Sequence, residues 1–326
     1  MDKLSYASDS STSAWNTYLQ QIERVAPYLG ELSPWVDTLR HPKRALIVDI
    51  PVQMDDGTNG KVMAWMMDTY SMNHGTTVTG VVTGKPIHLG GSLGREKATG
   101  RGVFVSGLEA ARRANIAVEG ARVAVQGFGN VGSEAARLFA GAGARVVAIQ
   151  DHTATLFNAT GIDMKALTAW QTEHKQIAGF PGAETIASDA FWRLEMDILI
   201  PAALEGQITR QRAEALTCKL VLEGANGPTY PDADDVLASR GILVVPDVVC
   251  NAGGVTVSYF EWVQDMASFF WSEEEINARM DKIMTDAIVH VWEKATEKSC
   301  SLRTAAYIVA CERILLARKD RGIYPG

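Results

Sequence analysis

At 326 residues the chain is long for one small domain and suits about two. With 47% hydrophobic and 21% charged residues it is expected to fold into a globule and not to stay disordered. A formal net charge of −7 gives no electrostatic footprint for nucleic acid or an anionic membrane, and no apolar run approaches the length of a membrane span.

Residues 1–13 are polar and rich in Ser and Thr, without the apolar core of a signal peptide. From Ala14 to Leu29, apolar residues recur at helical spacing (Trp15, Tyr18, Leu19, Ile22, Val25, Ala26), and Pro27 and Gly30 bracket the end. Ser33-Pro34 starts a short helix, Trp35 to Leu39. Arg44 to Val52 reads as a strand, and Asp55 to Gly60 as a turn cluster. Lys61 to Met72 is helical, with a broad apolar face of Val62, Met63, Trp65, Met66, Met67 and Tyr70 that reads as core packing. Residues 75–102 are dense in glycine, which suggests a backbone lying close to another surface. An alanine-rich helix, Val103 to Asn115, follows.

Arg122 to Asp151 is the most informative stretch. A short apolar strand, Val123 to Val125, runs into Gly127-Phe-Gly129-Asn-Val-Gly132. A helical run comes next, then a strand, Arg145 to Ile149, that ends at Asp151. This order is that of a dinucleotide-binding unit. Gly127 permits a tight turn, Gly129 lets a pyrophosphate approach the backbone, and Gly132 lets the helix pack near the strand. The helix N-terminus offers free N–H groups and the positive end of its dipole. Asp151 lies about 20 residues past Gly132, where an acid meets a ribose 2′-hydroxyl.

Strands and helices then alternate. A helix at Asp163 to Lys175 precedes strand Asp197 to Ile200, and helix Thr209 to Leu216 precedes strand Lys219 to Leu222. Helix Asp232 to Arg240 leads to strand Ile242 to Val245. This predicts an α/β fold with a doubly wound, mostly parallel Rossmann sheet. Asp151, Asn226 and Asn251 each follow a strand, on the carboxyl edge where such sheets bind ligands. Each is equally a candidate Asx-turn or helix cap. The tail is helical: Thr256 to Met266, a capped helix from Ser272 to Lys298, and Leu302 to Lys319. Cys218, Cys250, Cys300 and Cys311 form no C-x-x-C pair and read as reduced thiols of a cytoplasmic protein, with no metal role.

Four segments in order carry a family resemblance: Gly90-Gly-Ser-Leu-Gly-Arg95-Glu-Lys-Ala-Thr99-Gly-Arg-Gly102, Gln126 to Gly132, Glu223-Gly-Ala-Asn-Gly-Pro-Thr229, and Pro246 to Trp262. Together they resemble glutamate dehydrogenase, from Ala14 to the end of the chain. The resemblance implies oxidative deamination of glutamate to 2-oxoglutarate and ammonia, with hydride transfer to a nicotinamide cofactor. By position it implies Arg95 and Thr99 near the nicotinamide half, Asn130 at the pyrophosphate or its ribose, and Val131 and Ala225 among the cofactor-binding residues. Asp151 is implied at the adenosine ribose, Asn226 and Asn251 at the nicotinamide ribose and carboxamide, and Ser258 at the substrate's side-chain carboxylate. Asp151 favours NAD over NADP, because a carboxylate repels a 2′-phosphate; a protonated His152 would weaken that preference.

The resemblance breaks at the N-terminus. The family's substrate domain, with its glycine-rich lysine segments, has no counterpart between strand Ile47–Val52 and helix Asn59–Tyr70, so an internal deletion is expected at Gly57-Thr58. Residues 1–58 then form a shortened substrate domain, and 59–326 the NAD(P)-binding domain with C-terminal helices. The catalytic lysine is absent. Asp55 stands where the family's catalytic aspartate would lie in one register, and reads otherwise as an exposed turn acid. Two readings follow: a glutamate-type dehydrogenase acting on a small-molecule substrate, or a catalytically silent NAD-binding remnant. Apolar faces uncovered by the deletion predict a homo-oligomer.

Overall fold

The computed structural model describes residues 14–40 and 59–321. The strand expected at Arg44–Val52, Asp55 and the junction at Gly57-Thr58 lie outside the described residues. In chain order the elements begin with helices α1 (Ala14–Val25), α2 (Asp37–Arg40), α3 (Gly60–His74) and α4 (Ala98–Arg113). There follow β1 (Arg122–Gln126), α5 (Asn130–Gly141), β2 (Arg145–Gln150), β3 (Thr155–Phe157), α6 (Met164–His174), β4 (Glu184–Thr185) and β5 (Ile198–Pro201). The rest are α7 (Arg210–Ala215), β6 (Leu220–Leu222), α8 (Pro231–Ser239), β7 (Leu243–Val245), α9 (Asp247–Cys250), α10 (Gly253–Ala267), α11 (Glu273–Lys298) and α12 (Leu302–Asp320). They fall into two compact units, one holding residues 14–40 and 289–321, the other residues 59–288. The C-terminal helices from Val289 onward thus group with the N-terminal segment and not with the sheet.

The smaller unit is helical. Ile22, Val25, Leu29, Leu32 and Val36 pack with Ile308, Cys311 and Leu315 of α12. Helix α1 gives way at Ala26 to a 3-10 turn, Ala26–Tyr28, because Pro27 has no N–H to continue the ladder. Ser301 caps α12, its hydroxyl accepting from Thr304 N at 3.1 Å. The Tyr18 hydroxyl donates to Leu39 O at 3.0 Å, and this ties α1 to the end of α2.

In the larger unit, the strands among the described residues form one seven-stranded sheet, ordered β4-β3-β2-β1-β5-β6-β7. The β2-β1-β5-β6-β7 portion is parallel throughout; β3 pairs antiparallel with β2, and β4 with β3. The antiparallel edge is an addition to the expected strands. At three and two residues, β3 and β4 are too short to show a period in sequence. The parallel strands are apolar at nearly every position, as burial on both faces requires. One face packs Ala124, Leu199 and Val221 against Ala213 of α7 and Leu237 of α8. On the other, α4 and α5 lie together, and a Cβ added at Gly107 would strike Leu222 at 2.5 Å and Phe139 at 2.8 Å.

Helix α4 starts at Ala98, five residues before the expected Val103, and so contains Gly100 and Gly102. Likewise α10 starts at Gly253, ahead of the expected Thr256. Each helical glycine costs about 1 kcal/mol relative to alanine. Packing offsets that cost, because the two helices meet backbone to backbone: a Cβ on Gly102 would lie 2.9 Å from Gly253 N, and one on Gly253 would lie 2.3 Å from Ala98 O. Asn59 caps α3, its side chain accepting from Lys61 N and Val62 N. Of the apolar face expected to be core, Val62 and Met67 are buried, whereas Trp65 and Tyr70 are exposed.

Candidate functional site

The chain leaves β1 toward β2 on one side and returns to β5 on the other. The sheet's switch point therefore lies between the carboxyl ends of β1 and β5. The glycine-rich turn sits at this point. Gly127 has φ +92°, and a Cβ there would approach the Ala202 backbone to 2.6 Å. At Gly132 a Cβ would lie 1.8 Å from Gly127 O, so only glycine lets α5 start this close to β1. A Cβ at Gly129 would meet nothing within 4 Å. Gly129 is the N-cap of α5 and makes no side-chain cap bond, so the N-cap supplies no acceptor for the first-turn N–H groups of Asn130, Val131 and Gly132. Gln171 on α6 donates to Phe128 O at 2.9 Å and holds the turn from outside.

Next to the turn is a cavity of about 740 Å³, lined by Arg95, Thr99, Val131, Ala202, Ala203, Leu204, Glu205, Gly224, Ala225, Asn226, Asn251, Gly254, Val255 and Ser258. Seven of the residues singled out in the sequence thus share one cavity: Arg95, Thr99, Val131, Ala225, Asn226, Asn251 and Ser258. Gly127, Gly129, Asn130, Gly132 and Asp151 are not among its walls; they form the adjoining turn and the end of β2. Leu204 and Glu205, which the sequence did not single out, line the cavity by following β5, the strand beside the switch point.

Two of the cavity's polar side chains, Asn226 and Asn251, are bonded to each other. Asn251 Nδ2 donates to Asn226 Oδ1 at 2.8 Å and to Gly224 O at 3.4 Å. Asp247 Oδ2 accepts from Gly227 N at 2.8 Å, while Asp247 N donates at 2.9 Å to Glu223, whose side chain is fully buried. These bonds clamp the loops after β6 and β7 together. Arg95 Nε is buried and has no hydrogen-bond partner among the described residues. Thr99 lies against α10, where a Cβ on Gly254 would come within 2.4 Å of its Oγ1. Burial pushes the Cys250 thiol well above its ordinary range, so it is a packing residue beside Asn251 and not a nucleophile. Asp151 does make the Asx-turn that its residue type allowed, with Oδ1 accepting from Thr153 N at 2.7 Å and Ala154 N at 3.0 Å.

Among the described residues no group of three or more His, Cys, Asp or Glu is placed to hold a metal, and no helix is long and apolar enough to cross a membrane.

A doubly wound sheet with a glycine turn, an uncapped helix N-terminus and a walled cavity at its switch point belongs to the nucleotide-binding class of α/β proteins. Within that class, the chain belongs to the Glutamate/Leucine/Phenylalanine/Valine dehydrogenase family, whose profile matches residues 90–322. It is 51% identical over 278 residues to a glutamate dehydrogenase of Thermotoga maritima, an alignment covering 85% of this chain and 67% of that protein. An NAD-specific glutamate dehydrogenase of Clostridioides difficile is 44% identical over 282 residues, again 85% and 67% of the two chains. Among solved structures, the hetero-hexameric glutamate dehydrogenase of Thermus thermophilus, in a leucine-bound form, superposes with TM-score 0.78 at 38% identity. That match covers 83% of this chain and 64% of the other. The chain therefore spans about two thirds of the length of the relatives it matches.

Proposed function

We propose that this chain binds NAD at the switch-point site and is a glutamate-type amino-acid dehydrogenase. The observation that carries this is the convergence of Arg95, Thr99, Asn226, Asn251 and Ser258 on one cavity beside the glycine turn. The residues fit the cofactor. Gly129 leaves the space a pyrophosphate needs, and the first-turn N–H groups of α5 at Asn130, Val131 and Gly132 face it as donors. Asp151 receives the adenosine ribose. Ala225, Asn226 and Asn251 receive the nicotinamide ribose and carboxamide, and the Asn226–Asn251 bond holds both amides in one orientation. The unpartnered Nε of Arg95 suits a polar ligand group near the nicotinamide end. When bound, NAD would supply the acceptor for a hydride from the amino acid's Cα. The substrate loses a proton from its amine as well, and the iminium so formed takes up water and releases ammonia to give 2-oxoglutarate. Ser258 donates to the substrate's side-chain carboxylate. NADP is disfavoured by the Asp151 charge.

A second reading has an observation of its own. The cavity's walls carry one cation, Arg95, and no lysine. Water attack on an iminium needs a positioned acid–base group, which typically contributes about 10²–10⁴-fold. Ser258 alone does not orient a dicarboxylate. This reading is binding without turnover, and it follows from the expected loss of the family's lysine segments between Val52 and Asn59.

Glutamate-dependent NAD reduction by the purified chain, run beside an NADH-binding titration, tests both. Turnover that falls in Ser258→Ala establishes the dehydrogenase. Binding without turnover selects the silent reading. A chain that binds neither NADH nor NADPH defeats the site assignment itself.

A further inference from the structure

The end of β2 carries more than an Asx-turn at Asp151. Asp151 follows the last residue of the strand, and its Oδ1 accepts three hydrogen bonds: from Thr153 N at 2.7 Å, Thr153 Oγ1 at 2.6 Å and Ala154 N at 3.0 Å. The Thr153 hydroxyl has a second bond. Ala178 N, on the loop after α6, points at Oγ1 from 3.3 Å. A backbone N–H can only donate, so Oγ1 must accept from Ala178. Its own proton is thereby directed at the carboxylate. The hydroxyl is not a free rotor but a relay fixed at both ends, from a backbone amide through Oγ1 to Asp151. With Oδ1 saturated, the carboxylate plane is set and Oδ2 is the one oxygen with no partner among the described residues.

We propose that Thr153 is a positioning residue for nucleotide selectivity: its hydroxyl, oriented by Ala178 N, locks the Asp151 carboxylate so that Oδ2 faces the adenosine ribose. This rests on the proposed NAD reading of the site. A locked carboxylate offers a 2′-hydroxyl one well-placed charged acceptor, and presents a 2′-phosphate with a negative charge that cannot swing aside. Without the hydroxyl, Asp151 retains its two backbone donors but gains freedom to rotate. Affinity for NADH then falls and discrimination against NADPH relaxes.

Dissociation constants for NADH and NADPH, read by titration of protein fluorescence, test this independently of turnover in wild type, Thr153→Val, Thr153→Ala, Thr153→Ser and Asp151→Ser. Thr153→Val and Thr153→Ala are each expected to weaken NADH by about threefold to tenfold, the size of one typical hydrogen bond, and to weaken NADPH less. Thr153→Ser retains the hydroxyl and is expected to restore the wild-type ratio. A purely structural role would weaken both nucleotides alike, so an unchanged NADPH-to-NADH ratio in whichever of the valine and alanine variants folds overturns the proposal. So does a serine variant that behaves like alanine. The reading beneath it fails separately: if Asp151→Ser binds NADH as wild type does, the acid is not at the ribose, whatever Thr153 does.

Discussion

At the scale of single residues, burial decides the chemistry of the thiols. Burial pushes the Cys218 thiol from its ordinary 9.0 up to about 12, partly opposed by the Arg240 charge. The Cys311 thiol rises to about 11 from burial and the nearby Glu312 charge, and burial holds the Cys250 thiol well above its ordinary range. Cys300 is shifted upward too, but it alone of the four is only partly covered. The thiolate is the reactive form, so a thiol at about pH 12 is ionised in only about one molecule in 10⁴ at pH 8. Iodoacetamide at pH 8 should therefore modify Cys300 first and spare Cys218 and Cys250 until the chain is unfolded. Peptide mass spectrometry over time reads the order, and labelling of Cys218 at the rate of Cys300 would contradict it. The same shifts set a sign for stability. The folded state holds the Cys218 proton more tightly than the unfolded state does. Its contribution is therefore complete below about pH 9 and is lost as the pH rises toward about 12. Urea midpoints should decline through that window, and less steeply in Cys218→Ala.

At the scale of elements, the loop before α4 is fastened to α10 by charge. Lys85 is fully buried, and its Nζ donates to Glu261 Oε1 at 2.6 Å, Asp265 Oδ2 at 2.8 Å and Val82 O at 2.8 Å. Glu261 also accepts from Gly84 N at 2.8 Å and Lys85 N at 3.2 Å. Asp265 Oδ1 is buried without a partner among the described residues, so the cluster leans on Lys85 and Glu261. Removing one member of a buried pair strands the other charge and costs about 3–5 kcal/mol. Lys85→Met should lose about that much in urea unfolding. Asp265→Asn should lose less, since it leaves the Lys85–Glu261 pair intact; equal losses would show that Asp265 bears the load instead. None of this was legible in the sequence beyond a trace. Glu261 lies on the same helical face as Val257 and Gln264, where a carboxylate is out of place, but its cation is 176 residues away. The parallel strands and the glycine turn were legible because their signals are local: apolar runs, fixed glycine spacing, and an acid at the strand's end. The early starts of α4 and α10 were not. Gly102 and Gly253 are poor helix formers by residue type, and only their mutual contact accounts for their place in helices. Thr153 was missed for the same reason, because the amide that orients its hydroxyl belongs to a distant loop.

At the scale of the whole molecule, the question is what the chain does with the apolar surface it leaves open. Val255, Tyr259, Trp262 and Met266 recur at spacings of four, three and four along α10, so they form one stripe on that helix. They are 69%, 59%, 42% and 61% exposed. Phe269 and Phe270 continue the apolar surface beyond the helix's end, at 66% and 53% exposure. A single exposed leucine is ordinary, but a continuous aromatic stripe is the kind of surface that proteins cover by association. The net charge of −7 is modest for a chain of this length and opposes self-association weakly. We therefore expect this chain to self-associate through α10, with a closed assembly favoured over an open one. Sedimentation velocity over about a hundredfold range of concentration should show a species larger than the monomer whose population rises by mass action. Trp262→Glu with Met266→Glu places two charges on the stripe and touches no wall of the cavity. This variant should sediment as a monomer at every concentration while binding NADH as the wild type does. A wild-type chain that stays monomeric, or a double variant that still associates, would exclude α10 as the contact. If the variant dissociates and also loses NADH, the stripe and the cavity are coupled through Ser258 and Val255, which share both the helix and the cavity's edge.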